Sequence, residues 1–507
     1  MRTGLIKRIC FIVAATVILM APVEALAIEG TLGYEGGISA VNVNEGNEYY
    51  YTEMCFLSGK PIYLTGTLTI DKRMRNNIET ATYTYRLENP EEGATLTRVI
   101  IYETTSETKA NGQITESTRL TRLPTEVITI GNNRYNLVGY NFSRSLITDP
   151  KPALNYYAGE FAGRKTYAVN GNRDNTITVT ISGKMYAYDQ YWSSTQTQKV
   201  QYILEARMPG EGYQWGGSAE VTVSTTTRQQ IKYSANEPWQ ISFDGGYVRR
   251  TWEEAILDYH ARLPEMDSSN RPTPVLKDYS GRTSISTPPV LERLMVPNIK
   301  QLSGHWAQEP VSILFGLGVI PGTGENYNIN KYVTRREFIV MLMQAVRDIP
   351  EDPNLRVSTL TTSRNRNKTV EESPFLDVSI DDPDYPLIKK AYDRKIAVGT
   401  GYSYFNPDKY ITYAEAIKMI VGALGLENLA PWPHAVTPYV DNDSIPAYAR
   451  NAAAVAYSLG IFQGDERGYF NPSGYITNEQ AARLFYNLIQ YMGDELVKDY
   501  SDRMLSF

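Results

Sequence analysis

The sequence is poor in thiol and imidazole. Its 507 residues hold two cysteines, Cys10 and Cys55, and three histidines, His260, His305 and His434. Cys10 lies in an N-terminal apolar run, so a chain processed after that run keeps one thiol and can form no intramolecular disulfide. With no histidine in the first 250 residues, Ser-His nucleophiles and His-metal sites are excluded from them. Beyond Met20 no segment approaches the roughly 18 apolar residues of a membrane-spanning helix. The sequence also lacks a phosphate loop, a zinc-helix motif and a nucleophile elbow. Gly210-Glu211-Gly212-Tyr213-Gln214-Trp215-Gly216 has the wrong spacing for a dinucleotide loop. The formal charge is −6, and the first 27 residues contribute three bases against one acid. The more acidic remainder is a poor general nucleic-acid binder. A hydrophobic share of 42% is enough for a substantial core, and the length suggests two or more domains.

What is present falls into sections. Residues 1–27 have a basic start (Arg2, Lys7, Arg8), an apolar stretch from Ile9 to Met20 and the small-residue ending Ala25-Leu26-Ala27. This is the plan of a secretory signal, with cleavage expected near Ala27. Residues 28–250 alternate with period two, as in Ala81, Tyr83, Tyr85, Leu87 and in Ile177, Val179, Ile181, which predicts strands. Turn residues fall between such runs at Asn111-Gly112, Asn132-Asn133 and Asn170-Gly171, where hairpins need tolerance of positive φ. The expected fold is an antiparallel all-β domain, a meander forming a sandwich or an open barrel. Its many tyrosines, including Tyr49-Tyr50-Tyr51 and Tyr156-Tyr157, suit half-buried packing or a stacking platform for sugars or a partner. Trp252, Ala255, Ile256 and Tyr259 fit helical spacing and predict a short helix over 251–263. Pro264, Pro272, Pro274, Pro288, Pro289 and Pro297 then predict an extended linker up to 297.

The last two hundred residues repeat themselves. Thr334-Arg335-Arg336-Glu337, Thr412-Tyr413-Ala414-Glu415 and Thr477-Asn478-Glu479-Gln480 each place Thr at a helix N-cap and Glu or Gln at the third helical position, the capping-box pattern. Seven residues before each Thr stand Tyr327-Asn328-Ile329, Phe405-Asn406-Pro407 and Phe470-Asn471-Pro472. Upstream again come Gly318-Val319-Ile320-Pro321-Gly322, Lys395-Ile396-Ala397-Val398-Gly399 and Gly460-Ile461-Phe462-Gln463-Gly464, suited to a helix stop and a left-handed turn. The unit is helix, glycine-bearing loop, aromatic-Asn turn, capped helix. One unit has too little core to stand alone, so the three should pack together.

This pattern resembles the surface-layer homology (SLH) family of bacterial cell-envelope proteins over residues 298–492. Phe375-Leu376-Asp377, Tyr439-Val440-Asp441 and His305-Trp306-Ala307 match further parts of the family motif in individual repeats. The resemblance implies an all-α pseudo-threefold module that holds its protein on the peptidoglycan-linked secondary cell-wall polysaccharide, often through pyruvylated sugars. It makes the arginine of the Thr-Arg-Ala-Glu motif the main ligand contact. Only Arg335 stands there; Tyr413 and Asn478 replace it in the other repeats. Arg335, Trp306, Gly322 and Glu337 form the expected polymer-binding set.

The residues themselves leave alternatives open. A cation at the first helical position opposes the macrodipole, so Arg335 is either a solvated surface charge or a two-pronged partner of a carboxylate beside free helix N–H groups. Trp306 is a core aromatic or a sugar platform, and Glu337 a capping partner or a ligand contact. Lys418 and Arg483 lie about five residues past the Arg335 position, rotated away on their helices. No catalytic residue, cofactor or metal ligand is singled out. Asn170-Gly171-Asn172-Arg173-Asp174 and Asp441-Asn442-Asp443 offer calcium-type oxygens, but turn chemistry explains both.

The expected organisation is a signal peptide (1–27), a β-rich domain (28–250), a short helix and linker (251–297), repeats at 298–349, 375–430 and 431–492, a polar insertion (350–374) carrying Arg364-Asn365-Arg366-Asn367-Lys368, and a tail (493–507). The expected protein is secreted, sits at the bacterial cell wall or surface layer, is not an enzyme, and displays its β domain on a spacer. That domain is read as a unit of surface-layer structure or assembly, capable of self-association. The alternatives are a carbohydrate- or protein-binding adhesin and a carboxylate-dependent glycoside hydrolase.

Overall fold

The computed structural model describes residues 36–41, 47–235, 245–267, 271–349, 355–357, 372–431 and 435–504. The signal segment and the basic run 364–368 lie outside them.

The N-terminal region is one antiparallel meander in which nearly every strand pairs with its sequence neighbours. Several strands are long: Asn133–Pro150, Asn172–Asp189, Tyr213–Ser234 and Gly246–Met266. The alternation read from sequence is the burial pattern, with Ala81, Tyr83, Tyr85, Leu87, Ile177, Val179 and Ile181 all inside. Turns fall at the expected places, with Asn170 at φ 52° and Gly171 at φ 76° closing one hairpin and Gly112 at φ 87° another. The sheet coils over itself as an open barrel and does not split into a sandwich. Its first strand, Ile38–Val41, packs against the strands Tyr213–Ser234, Gly246–Met266 and Pro272–Ser286, while its hydrogen bonds go to Glu48–Cys55.

The barrel interior is largely apolar but holds a charged knot, and Lys72 is also buried, in phase with Leu68 and Ile70 on its strand. Arg98 Nη1 and Nη2 donate to the two Glu53 oxygens at 2.8 and 2.9 Å, and Nη2 also reaches Glu126 Oε1 at 3.1 Å. Lys165 Nζ and the Tyr167 hydroxyl donate to Glu126 at 2.9 and 2.7 Å. Two acids against two bases leave no net charge, which is what permits their burial. Burial pushes the neighbouring Cys55 thiol up to about 12, so it stays protonated and unreactive.

Residues 251–297 differ from expectation. Gly246–Met266 is a strand, and the predicted helix over 251–263 does not form. Ala255, Leu257, Tyr259, Ala261 and Leu263 are the buried set, a period of two that overlaps the helical one at Ala255 and Tyr259. Ladders on both sides, to Tyr213–Ser234 and to Pro272–Ser286, satisfy the backbone, and that decides between the two periods. The predicted linker is also sheet: Pro272–Ser286 and Val290–Arg293 are strands. Its prolines fit because they sit at a bulge (Pro264), at the start of an edge strand (Pro272, Pro274) or between strands (Pro288, Pro289), where a missing N–H costs little. The β region thus runs to Arg293, and His260 lies on its exposed side.

In the 350–374 insertion, Leu355–Val357 is a short strand running parallel to Lys72–Met74. Strand Ile62–Arg75 outruns its partner Glu48–Cys55, whose pairing stops at Thr69; the insertion takes the edge left open.

The C-terminal region packs six repeat helices: α1 (Gln308–Gly316), α2 (Arg335–Val346), α3 (Tyr385–Asp393), α4 (Tyr413–Leu424), α5 (Ala447–Ser458) and α6 (Asn478–Gln490). A last helix, α7 (Leu496–Met504), follows a π-helical turn. The three repeats close into a ring: Val333 N donates to Ile476 O, Ile476 N to Ile411 O, and Ile411 N to Val333 O. The ring gives the module its pseudo-threefold axis, and the buried side chains of Val333, Ile411 and Ile476 fill its centre.

The two regions are docked directly. Trp192, in the turn after Asn172–Asp189, is 1% exposed and lies in the helical core, its Nε1 donating to Ala345 O at 2.7 Å. Ser193 Oγ and Gln190 Nε2 donate to Met492 O, and Ala153 N donates to Ala423 O. Ala345 and Ala423 lie at the C-terminal ends of α2 and α4, where carbonyls lack helical partners, and Met492 lies in the π-helical turn that joins α6 to α7. Tyr500 of α7 packs on Tyr156 and Tyr188. The β domain therefore sits on the C-terminal end of the helix ring, with no proline spacer between them.

Candidate functional site

The capped helices start at the opposite end of the ring. Thr334 Oγ1 accepts from Glu337 N at 3.2 Å while Glu337 Oε2 accepts from Thr334 N at 2.9 Å. Thr412 and Glu415 repeat the exchange at 3.4 and 3.1 Å, and Gln480 Oε1 takes the Thr477 N–H at 2.9 Å. The capping boxes form as the sequence proposed.

The loops are held by a device that the motif contained without showing its use. Asp377 accepts from the amides of Phe405 and Asn406 at 2.8 and 2.7 Å, and Asp441 from those of Phe470 and Asn471 at 2.7 and 2.8 Å. A carboxylate with two oxygens can take two successive N–H groups. Asn406 and Asn471 have φ 57° and 54°, which asparagine tolerates best after glycine. Asp441 is thereby committed to the turn, as turn chemistry required.

Arg335 is 3% exposed, so it is no solvated surface charge. Its Nε donates to Phe405 O at 2.9 Å, its Nη1 to Glu415 Oε1 at 2.9 Å, and its guanidinium lies 5.2 Å from the centre of the Phe405 ring. Burial lowers its pKa, opposed by Glu415, Tyr448 and Asp377 nearby. It bridges repeats one and two at the α2 N-terminus. The amides expected to be free there are occupied: Arg335 N donates to Lys409 O and Arg336 N to Pro407 O, with matching bonds from Tyr413 to Gly474 and Asn478 to Lys331. Each repeat's aromatic-Asn turn thus covers the helix start of the repeat before it, and any anion must be met by side chains.

The positions equivalent to Arg335 are filled differently. Tyr413 stacks on Phe462 with ring centres 5.1 Å apart, and Asn478 Nδ2 donates to Asn328 O at 2.8 Å. Glu337 Oε1 accepts from Lys331, and Gly322, at φ 98°, makes the turn after α1.

Trp306 is 48% exposed, so it is not a core aromatic. Arg483 of α6 lies over it, the guanidinium carbon 5.5 Å from the ring centre, and His305 is alongside at 5.6 Å. His305 Nε2 is in turn 3.8 Å from Glu479. Helical rotation removed Arg483 from the Arg335 position, yet packing of repeat three on repeat one brings it onto Trp306. Sequence spacing within one helix could not reveal that. Lys418 pairs instead with Glu427.

The S-layer homology domain family matches residues 300–339, 374–417 and 438–482. The C-terminal region carries three S-layer homology domains. Each match begins before the first helix of one unit and ends five residues into its capped helix. The chain is 28% identical over 200 residues to an amylopullulanase of Thermoanaerobacterium thermosulfurigenes, covering 38% of this chain and 10% of that protein. It is 29% identical over 186 residues to an endoglucanase of Bacillus sp. (strain KSM-635), covering 36% and 18%. It is 25% identical over 206 residues to the surface-layer 125 kDa protein of Lysinibacillus sphaericus, covering 40% and 16%. This chain spans less than a fifth of the length of these relatives. S-layer homology domains are anchoring units and not catalytic ones. Among the described residues no helix is long and apolar enough to cross a membrane.

Of the buried carboxylates in the β region, Glu53 and Glu126 are committed to the Arg98 knot, and Asp189 lies at the end of the strand Asn172–Asp189. Tyr49 and Tyr51 are core residues and Tyr156 packs on Tyr500, whereas Tyr50 is 54% exposed. A groove of about 660 Å³ crosses the sheet, lined by Arg144, Glu160, Lys184, Lys199 and Glu220 among small residues.

Proposed function

We propose that this is an exported envelope protein whose S-layer homology domains hold it on the secondary polysaccharide of the bacterial wall, and whose β domain serves surface-layer structure or assembly without catalysis. One observation carries the reading: three matched domains close into a ring whose one end is covered by the β domain, leaving the other end and the clefts between repeats for a ligand. Arg483 lies over the half-exposed Trp306 ring, and an aromatic surface with a cation on it suits a sugar bearing a carboxylate, such as a pyruvylated one. Arg335 and Glu337 serve that surface by locking the helix starts, and Gly322 by allowing the turn that follows α1. The relatives favour anchoring: a segment of similar length is common to an amylopullulanase, an endoglucanase and a surface-layer protein, and what proteins of unlike activity share is better explained as an attachment unit than as a catalytic one. The test is co-sedimentation of the chain from Ile28 with purified wall sacculi. Trp306→Ala and Arg483→Ala should each weaken binding about tenfold, the loss of one stacking or charged contact. Unchanged binding in both would remove the cleft from the mechanism.

A further inference from the structure

The end of the ring away from the β domain carries a feature that neither the motif nor the matched family assigns. Each repeat has a tyrosine two residues before its capping threonine: Tyr332, Tyr410 and Tyr475. The next residue in each case, Val333, Ile411 or Ile476, points into the core on the hydrogen-bonded ring. Alternation along this extended segment therefore turns the tyrosine outward. The pseudo-threefold brings the three rings together around the axis, with centres 5.4, 5.6 and 5.9 Å apart and planes inclined at 53°, 61° and 66°. Each is half exposed, at 46%, 47% and 51%. Among the described residues none of the three hydroxyls makes a hydrogen bond.

We infer that this tyrosine triad is a binding site for one pyranose ring of the wall polysaccharide, seated on the axis. The inclined rings offer a shallow apolar bowl to the C–H face of a sugar, and three outward hydroxyls that can donate to or accept from sugar hydroxyls. Size selects this occupant. Three tyrosines that would each bury about 150–250 Å² and are half covered leave roughly 300 Å² in all, far below the roughly 800 Å² per partner of a stable protein interface. The position also fits, since Tyr410 follows Lys409, whose carbonyl receives the Arg335 amide, so the triad adjoins the helix starts where the repeats meet. The inference rests on the polymer-anchoring reading and adds to it a central site distinct from the clefts between repeats.

The test uses the chain from Ile28 and, as probe, secondary polymer released from sacculi by acid, with binding followed by titration calorimetry. The triple variant Tyr332→Ser, Tyr410→Ser, Tyr475→Ser should bind at least tenfold more weakly at unchanged circular dichroism. The triple Phe variant, which keeps the rings and serves if the Ser variant misfolds, should lose several-fold through the hydroxyls alone. Wild-type affinity in a folded Ser variant, or in the Phe variant if the Ser variant misfolds, would overturn the inference while leaving the anchor reading intact. No binding by the wild-type chain would remove the anchor reading and the inference with it. Self-association of the wild-type chain that the Ser variant abolishes, with polymer affinity unchanged, would assign the triad to a second copy and overturn the inference.

Discussion

At the scale of single residues, the chain commits its buried charges to holding itself together. Glu126 shows this most plainly. Burial alone would raise its pKa, but the charges of Arg98 and Lys165 and hydrogen bonds from Arg98 and Tyr167 outweigh it and lower the group from 4.5 to about 2. A depressed carboxylate stabilises the fold above its unfolded pKa, and that contribution fades as pH falls from about 4.5 toward 2. Denaturant titrations across this window should show stability declining with acid. Glu126→Gln should reduce stability at pH 7 and flatten the decline. A variant as acid-sensitive as the wild type would exclude Glu126 as the responsible group. Arg335 marks the limit of what its local sequence reveals. Its place at the first turn of a helix was legible, but its partners, Phe405 and Glu415, lie 70 and 80 residues away. Burial and pairing emerge only when two repeats meet.

At the scale of elements, the signals that could be read were the local ones. A capping box is set by four consecutive residues, so all three helix starts were visible. Their contribution is measurable: Thr412→Ala removes the acceptor for the Glu415 amide and should cost about 1 kcal/mol in thermal unfolding, with Thr334→Ala similar. No change in either would mean that the ring contacts alone fix the helix starts. The segment over 251–263 could not be read in this way. Trp252, Ala255, Ile256 and Tyr259 satisfy helical spacing, while Ala255, Leu257, Tyr259, Ala261 and Leu263 satisfy strand spacing. The choice is made by ladders to strands on either side. Prolines at strand starts and bulges misled for the same reason, because an edge position is a property of the sheet.

At the scale of the whole molecule, the junction between the two regions carries the largest difference from the sequence reading. A spacer was expected; the structure instead inserts Trp192 into the helical core and uses the β domain to meet carbonyls at the ends of α2 and α4 and in the turn between α6 and α7. A lone tryptophan in a turn carries no sequence mark of such a partner. Trp192→Ala should cost about 3–5 kcal/mol, as expected for a buried tryptophan, and should split one calorimetric unfolding transition into two. A single transition at an unchanged midpoint would contradict direct docking. The docking also orients the molecule, since it occupies the C-terminal end of the helix ring and directs the other end, with Trp306 and the tyrosine triad exposed, toward a ligand. The most direct measurement of the anchoring claim is sedimentation of the chain from Ile28 with sacculi that carry the secondary polymer and with sacculi stripped of it by acid. The account predicts binding to the first and none to the second; equal binding to both, or binding to neither, would contradict it.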